Sequence, residues 1–292
     1  MSKPLNPRFF DARDIETIRA LFKKDGIVFI VNCSEKELEE LAQSLGEPIR
    51  PCTDKEEGSS FVSHIRNTSD AVGKGETGQG KKFNALPPLN LMLANTGPLP
   101  SAELFFHTER SGWDNPPRIL ATVLTKATTK CGGGHSSSLF VDGREILERA
   151  RGAQIPFLYN MLVTRERDFC PFFRADDGTF VARPFIQFLN HRQEQAHQHG
   201  SRDSSKGCED EKRNNETEEE FIFRFQLGDS IRFLDTVTHP FLRKLEKIIW
   251  DQAFCVELKE GQGYLVDNHR FLHGRTAFEG DMEIMRVLAY SF

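Results

Sequence analysis

Short runs of β-branched and aromatic residues, each closed by turn-forming residues, recur along most of this chain and limit what it can fold into. Ile27-Val28-Phe29-Ile30-Val31, Ile119 to Leu124, Ser138 to Val141, Cys255 to Leu258, Tyr264 to Val266 and Ile284 to Tyr290 all have this form. Each has the length of a strand and is too short for an isolated helix. Helical periodicity appears early. Residues 12 to 24 repeat Ile15, Ile18, Leu21 and Phe22 at helical spacing up to the stop signal Asp25-Gly26, and Ser34 caps a second amphipathic run through Leu38, Leu41, Ala42 and Leu45 before Gly46. Two early helices on a core of many short strands predict an α+β, mainly β chain with a jelly-roll-type barrel and flanking helices, rather than a doubly wound sheet.

Further strand-like pieces fall at 160 to 166, 180 to 188 and 221 to 225. Helices are expected after Asp142-Gly143, through Ile146, Leu147 and Ala150, and from Thr238-His239-Pro240 through Phe241, Leu242, Leu245, Ile248 and Ile249. Residues 50 to 101 are rich in Gly, Ser, Thr, Asn and Pro, with Phe61 to Arg66 the clearest strand among them, and a long irregular segment of this kind often covers a site. Residues 191 to 220 contain no Val, Leu, Ile, Met, Phe, Trp or Tyr. That stretch cannot contribute to a core, so the expected organisation is one domain over 1 to 292 carrying a disordered or lid-like polar insertion at 191 to 220. His191, His197 and His199 inside it are expected to be solvated rather than to bind metal.

The formal net charge of -5, with 28% charged residues, points to neither a nucleic-acid partner nor an anionic membrane surface. The six cysteines form no C-x-x-C pair, which argues against a structural zinc site or a disulfide framework and for reduced thiols in a cytoplasmic protein. No apolar signal core opens the chain and no apolar run reaches bilayer length, so the N-x-S/T matches at Asn67 and Asn215 carry no weight. The 25 phenylalanines fit an aromatic-packed core.

Of nine histidines only His107 has a carboxylate two residues on, in Phe106-His107-Thr108-Glu109. On an extended strand those two side chains project to one face. Alone, H-x-E is common by chance; it gains meaning beside His269 and His273, four residues apart in the downstream stretch Asp267 to Arg275. That stretch reads as strand then turn, so the two need not point together, and one further imidazole suffices. Two histidines and a carboxylate with open positions suit a non-haem Fe(II) oxygenase.

Phe106-His107-Thr108-Glu109-Arg110-Ser111-Gly112-Trp113, Pro116-Pro117-Arg118, Gly132-Gly133-Gly134 to Asp142-Gly143, Asp267-Asn268 and His273-Gly274-Arg275 fall in the order and rough spacing of the TauD/TfdA (taurine dioxygenase-like) Fe(II)/2-oxoglutarate oxygenases. The opening helix and strand and Leu45-Gly46-Glu47-Pro48 are also similar, so the resemblance spans nearly the whole chain outside the polar insertion. It implies a double-stranded β-helix binding Fe(II) through His107, Glu109 and His273, with 2-oxoglutarate as co-substrate. Arg286, thirteen residues after His273, matches the family's position for gripping the distal carboxylate of the co-substrate. Ser138 falls where the family often has a Thr bonded to the same carboxylate, and Ser136 or Ser137 could substitute.

Glu109 stands where most members have Asp, similar to the clavaminate synthase-like amino-acid oxygenases. It argues against the halogenating relatives, in which a small residue there leaves room for halide. The resemblance thus implies oxygenation by O2 of a small molecule, an amino acid or a metabolite built from one, with release of succinate and CO2. Trp113 and the Gly-rich region before His107 are plausible lining and lid elements. Arg270 and Arg275 stand as structural or substrate-facing residues, and His64 and His135 as core or surface ones. Two other readings use the same scaffold: a non-catalytic binding or regulatory protein, and a metal-dependent hydrolase or isomerase that would have no need of Arg286.

Overall fold

Local signals start and stop the first two helices where the sequence places them. The Asp14 side chain accepts the Thr17 N–H to open helix Ile15–Asp25, and Gly26, at φ 73, closes it in the left-handed conformation that glycine tolerates best. A capping box between Ser34 and Glu37 opens helix Glu35–Leu45. The computed structural model describes residues 3–51, 60–67, 104–129, 137–152, 156–166, 170–189, 219–226, 231–232, 239–276 and 280–292. Several expectations therefore lie outside the described residues: residues 68 to 101 of the long irregular segment, Gly132-Gly133-Gly134, His135, Ser136, and residues 191 to 218 with their three histidines.

The chain is mixed α/β with more strand than helix. One seven-stranded sheet runs Phe9–Asp11, Ile27–Val31, Gln262–Asp267, Ile119–Thr129, Gly280–Ser291, and both Gly46–Pro48 and Ser63–Asn67 pair with the outer side of Gly280–Ser291. A five-stranded sheet runs Lys3–Pro4, Phe254–Glu257, Ser137–Asp142, Phe271–Arg275, Leu104–His107. All neighbours are antiparallel except the two N-terminal pairings, Lys3–Pro4 with Phe254–Glu257 and Phe9–Asp11 with Ile27–Val31.

Alternation along the strands sorts side chains into three apolar layers. Phe29, Leu120, Tyr264 and Leu288 of the larger sheet meet Phe140, Val256 and Phe271 of the smaller one, so the two sheets face each other. Met285, Val287 and Ala289, which alternate with Leu288 on the other face, pack under the two N-terminal helices with Ile18, Leu38 and Leu41. Behind the smaller sheet, Leu139, Val141 and Leu272 pack with helices Gly143–Gly152, Pro156–Val163 and His239–Gln252.

Two strand expectations change. Residues 160 to 163 of the piece at 160 to 166 belong to helix Pro156–Val163, because Leu158, Met161 and Leu162 recur at helical spacing and are buried against the neighbouring helices, and 164 to 166 form no strand. Residues 180 to 188 form two strands, Phe180–Ala182 and Ile186–Phe188, in different small sheets. The break falls at Arg183-Pro184, where proline cannot donate to a ladder.

Candidate metal centre

Cross-strand register brings the two distant histidines together. Leu104–His107 is an edge strand of the five-stranded sheet, and its last residue, His107, lies directly opposite His273 of Phe271–Arg275. Their ring centroids are 4.2 Å apart. The chain then leaves the sheet: the buried Thr108 exchanges backbone and side-chain hydrogen bonds with Phe225, and Arg110 turns the chain at φ 57. Glu109 therefore sits in a turn, not on the extended strand expected for it. Its carboxylate still returns to the histidines, with Oε1 3.7 Å from Nε2 of both His107 and His273. One ligand atom from each of the three residues lies within 4.8 Å of the others.

Burial and charge prepare this group. The side chains of His107, Glu109 and His273 are 13%, 13% and 5% exposed. Burial works to raise the Glu109 carboxyl, but the facing His107 and His273 rings and the Arg286 guanidinium outweigh it and hold the group well below the usual carboxylate range. Burial, with His107 alongside, pushes the His273 imidazole down to about 4. Near neutral pH the pair is thus an anionic carboxylate and a neutral imidazole, the forms that ligate metals. Separations of 3.7 Å exceed a hydrogen bond, whereas donors each about 2.1 Å from a shared ion lie about 3–4 Å apart. The residues fit a divalent metal, and their types fit iron.

Arg286 joins the site from the larger sheet, its Nη1 donating to Glu109 Oε1 at 2.7 Å. Its buried Nε has no acceptor among the described residues. Beside it across the strands stand Thr122 and then Tyr264, whose phenol is pushed up to about 12 chiefly by burial. Ser138 is the cross-strand partner of Arg275, two residues along from Phe140, which faces His273. His269 is not brought in. It is buried against the Pro116 carbonyl at 2.9 Å, and its strand-then-turn setting explains the separation from His273.

Arg270 holds Asp142 through Nε at 2.9 Å and so ties the turn before the His273 strand to the start of helix Gly143–Gly152. Arg275 donates to Met282 Sδ at 3.5 Å, and His64 lies on the surface near Glu35 and Glu283. Trp113 stacks under Arg110 and lines a cleft of about 450 Å³ with Asp114, Thr179 and Arg183.

Two residues have roles in this arrangement that sequence reading does not assign. Arg224 is 1% exposed, and burial lowers its guanidinium to about 10; it donates to Gln187 Oε1 and to the Asp114 carbonyl, joining strand Ile186–Phe188 to the loop after Glu109. Asn268 accepts the Glu109 N–H through Oδ1 at 2.7 Å. Its place after a strand end was visible in Asp267-Asn268; its target, 159 positions away, was not.

Two facing sheets with two histidines and a carboxylate between them fit the class of non-haem iron oxygenases. The family described as "Taurine catabolism dioxygenase TauD, TfdA family" matches residues 4–288, and the chain belongs to it: it is a 2-oxoglutarate-dependent non-haem iron dioxygenase. Solved structures agree in fold. PvcB from Pseudomonas aeruginosa superposes with a TM-score of 0.57 at 12% identity, over 95% of this chain and 80% of that one. A taurine dioxygenase from Burkholderia xenovorans gives 0.54 at 13% identity, over 100% and 91%. Asparagine oxygenase, in a complex with Fe(II), 2S,3S-3-hydroxyasparagine and succinate, gives 0.53 at 14%, over 96% and 78%. No curated protein matches in sequence. No helix among the described residues is long and apolar enough to cross a membrane.

Proposed function

We propose that the chain hydroxylates a small molecule, an amino acid or a metabolite built from one, using Fe(II) held by His107, Glu109 and His273. In this reading Arg286, with Ser138, receives the distal carboxylate of 2-oxoglutarate. The observation that carries it is the convergence of the three ligand atoms with Arg286 adjacent to the carboxylate and one of its buried N–H donors still without an acceptor among the described residues. When bound, iron with 2-oxoglutarate supplies the O2 activation and the decarboxylation to succinate and CO2. The protein supplies orientation, a neutral His273, an ionised Glu109, and an apolar wall: Phe140, opposite His273 on the neighbouring strand, is buried between the two sheets.

The same reading takes the two facing sheets as a double-stranded β-helix, the whole of 1 to 292 as one oxygenase domain with its polar insertion at 191 to 220, and the cytoplasm as its location. A carboxylate ligand in place of a small residue favours oxygenation over halogenation. The asparagine oxygenase of similar fold is in complex with hydroxyasparagine and succinate, which supports an amino-acid-like substrate here.

The test is succinate release by purified protein with Fe(II), ascorbate and 2-oxoglutarate across a panel of amino acids and small acids. Turnover is expected with at least one of them, and His107→Ala should abolish both iron binding and turnover. Arg286→Ala should also suppress succinate formation; unimpaired succinate formation would refute the role given to Arg286.

A further inference from the structure

Glu109 has a structural difficulty that its two partner histidines do not share. His107 and His273 sit in a hydrogen-bonded ladder, which fixes where their side chains begin. Glu109 has left the ladder for a turn, and among the described residues its peptide N–H and C=O meet a single partner, the Asn268 side chain. Asn268 Oδ1 accepts the Glu109 N–H at 2.7 Å, and Nδ2 donates to the Glu109 carbonyl at 3.2 Å. One amide thus grips the ligand's backbone on both sides, as a neighbouring strand would.

Asn268 is itself held firmly. It is 1% exposed, its second Nδ2 hydrogen reaches the Pro117 carbonyl at 2.7 Å, and its own N–H reaches the Arg118 carbonyl at 2.7 Å. Its neighbours extend the seam: Asp267 Oδ2 accepts from Arg118 Nε at 3.1 Å, and His269 Nε2 meets the Pro116 carbonyl at 2.9 Å. The orientation of the amide is determined, because the reverse would set its oxygen against two carbonyls. The turn that carries Asn268 leads directly into the Phe271–Arg275 strand and so into His273.

Resting on the iron reading above, we propose that Asn268 is a positioning residue that registers the carboxylate half of the metal site against the His273 half through this one amide. The class of change that should expose it is loss of the two Nδ2 donors with shape retained, as in Asn268→Asp. The Glu109 and Pro117 carbonyls would then face an acidic side chain, the Glu109 backbone would lose its second anchor, and the carboxylate would lose its fixed starting point. Supporting residues of this kind typically change metal affinity about 10- to 100-fold.

The matched control is His269→Ala, which removes a link of the same seam that does not touch Glu109. Anaerobic Fe(II) titration and the visible charge-transfer band with 2-oxoglutarate are read for the unmodified protein, Asn268→Asp and His269→Ala, with melting temperature recorded for each. Asn268→Asp is expected to weaken Fe(II) binding about 10- to 100-fold and to shift the band, while His269→Ala leaves both in place at a similar melting temperature. Asn268→Ala replaces Asn268→Asp if the latter does not fold. Unchanged affinity and spectrum in the Asn268 variant, or equal changes in the His269 control, would overturn the proposal alone. An unmodified protein that binds no Fe(II) would overturn the iron reading and this inference with it.

Discussion

Replacing Arg286 with Ala should produce a stability defect that metal repairs. In the structure its guanidinium donates at 2.7 Å to Glu109 Oε1, the oxygen that also faces both imidazoles, and the two side chains are 23% and 13% exposed. A hydrogen bond to a charged group contributes about 1.5–3 kcal/mol net, and removing one partner leaves the buried carboxylate without its cation. A loss of that size lowers the melting temperature of the metal-free protein by about 3–12 °C, at about 2–4 °C per kcal/mol for a chain of this order of size. Fe(II) would supply positive charge to the same carboxylate, so the gap between variant and parent should narrow to a small fraction of its metal-free value. Affinity for 2-oxoglutarate should not recover: loss of the guanidinium grip, again about 1.5–3 kcal/mol, weakens it by roughly one to two orders of magnitude. Arg286→Lys keeps the charge without the planar fork and should sit between the two in both measurements. Differential scanning fluorimetry with and without Fe(II) under anaerobic conditions, with 2-oxoglutarate titrations, reads all of this. A melting gap that is the same with and without metal would refute the argument that Arg286 and the ion serve one carboxylate.

Gly46→Ala should cost about 3 kcal/mol or more, because a Cβ there would lie 1.6 Å from the Tyr290 carbonyl oxygen in the strand pairing that closes the larger sheet; urea unfolding should show a lower midpoint with an unchanged slope. Cys33 gives a pH prediction. Burial, with Glu37 and Asp11 nearby, pushes its thiol from the ordinary 9.0 up to about 12, so the stabilisation is complete below pH 9 and is lost as pH rises from there towards 12. Between pH 9 and 10, below the ordinary range of Tyr264, Cys33→Ala should flatten the fall in stability by up to about 1.4 kcal/mol per pH unit in denaturant titrations. An unchanged slope would mean that the Cys33 thiol ionises as easily folded as unfolded.

What could be read in advance follows from the range of the interactions involved. Helix Glu35–Leu45 was legible to its cap because Ser34 and Glu37 complete the motif within four residues. The strands were legible because alternation and β-branching are properties of five or six neighbours. Helix Pro156–Val163 was misread as a strand piece for the complementary reason: it is short and almost wholly apolar, PFLYNMLV, so periodicity alone has little polar contrast to work with, and only its packing on two other helices decides the matter. The candidate metal site divides in the same way. His107 and His273 could be nominated from residue type and order, but their meeting depends on the register of two strands whose partners lie more than a hundred positions apart. Glu109 was nominated for a geometry it does not adopt, since H-x-E on a strand would already place the carboxylate beside His107 without help. Because the chain instead turns at Arg110, the burden of aiming that carboxylate passes to a residue outside the motif, and Asn268 is the residue whose hydrogen bonds meet it. The departure from the expected strand is therefore what makes the Asn268 contact necessary. A site of this kind needs one more specified residue than its three ligands suggest.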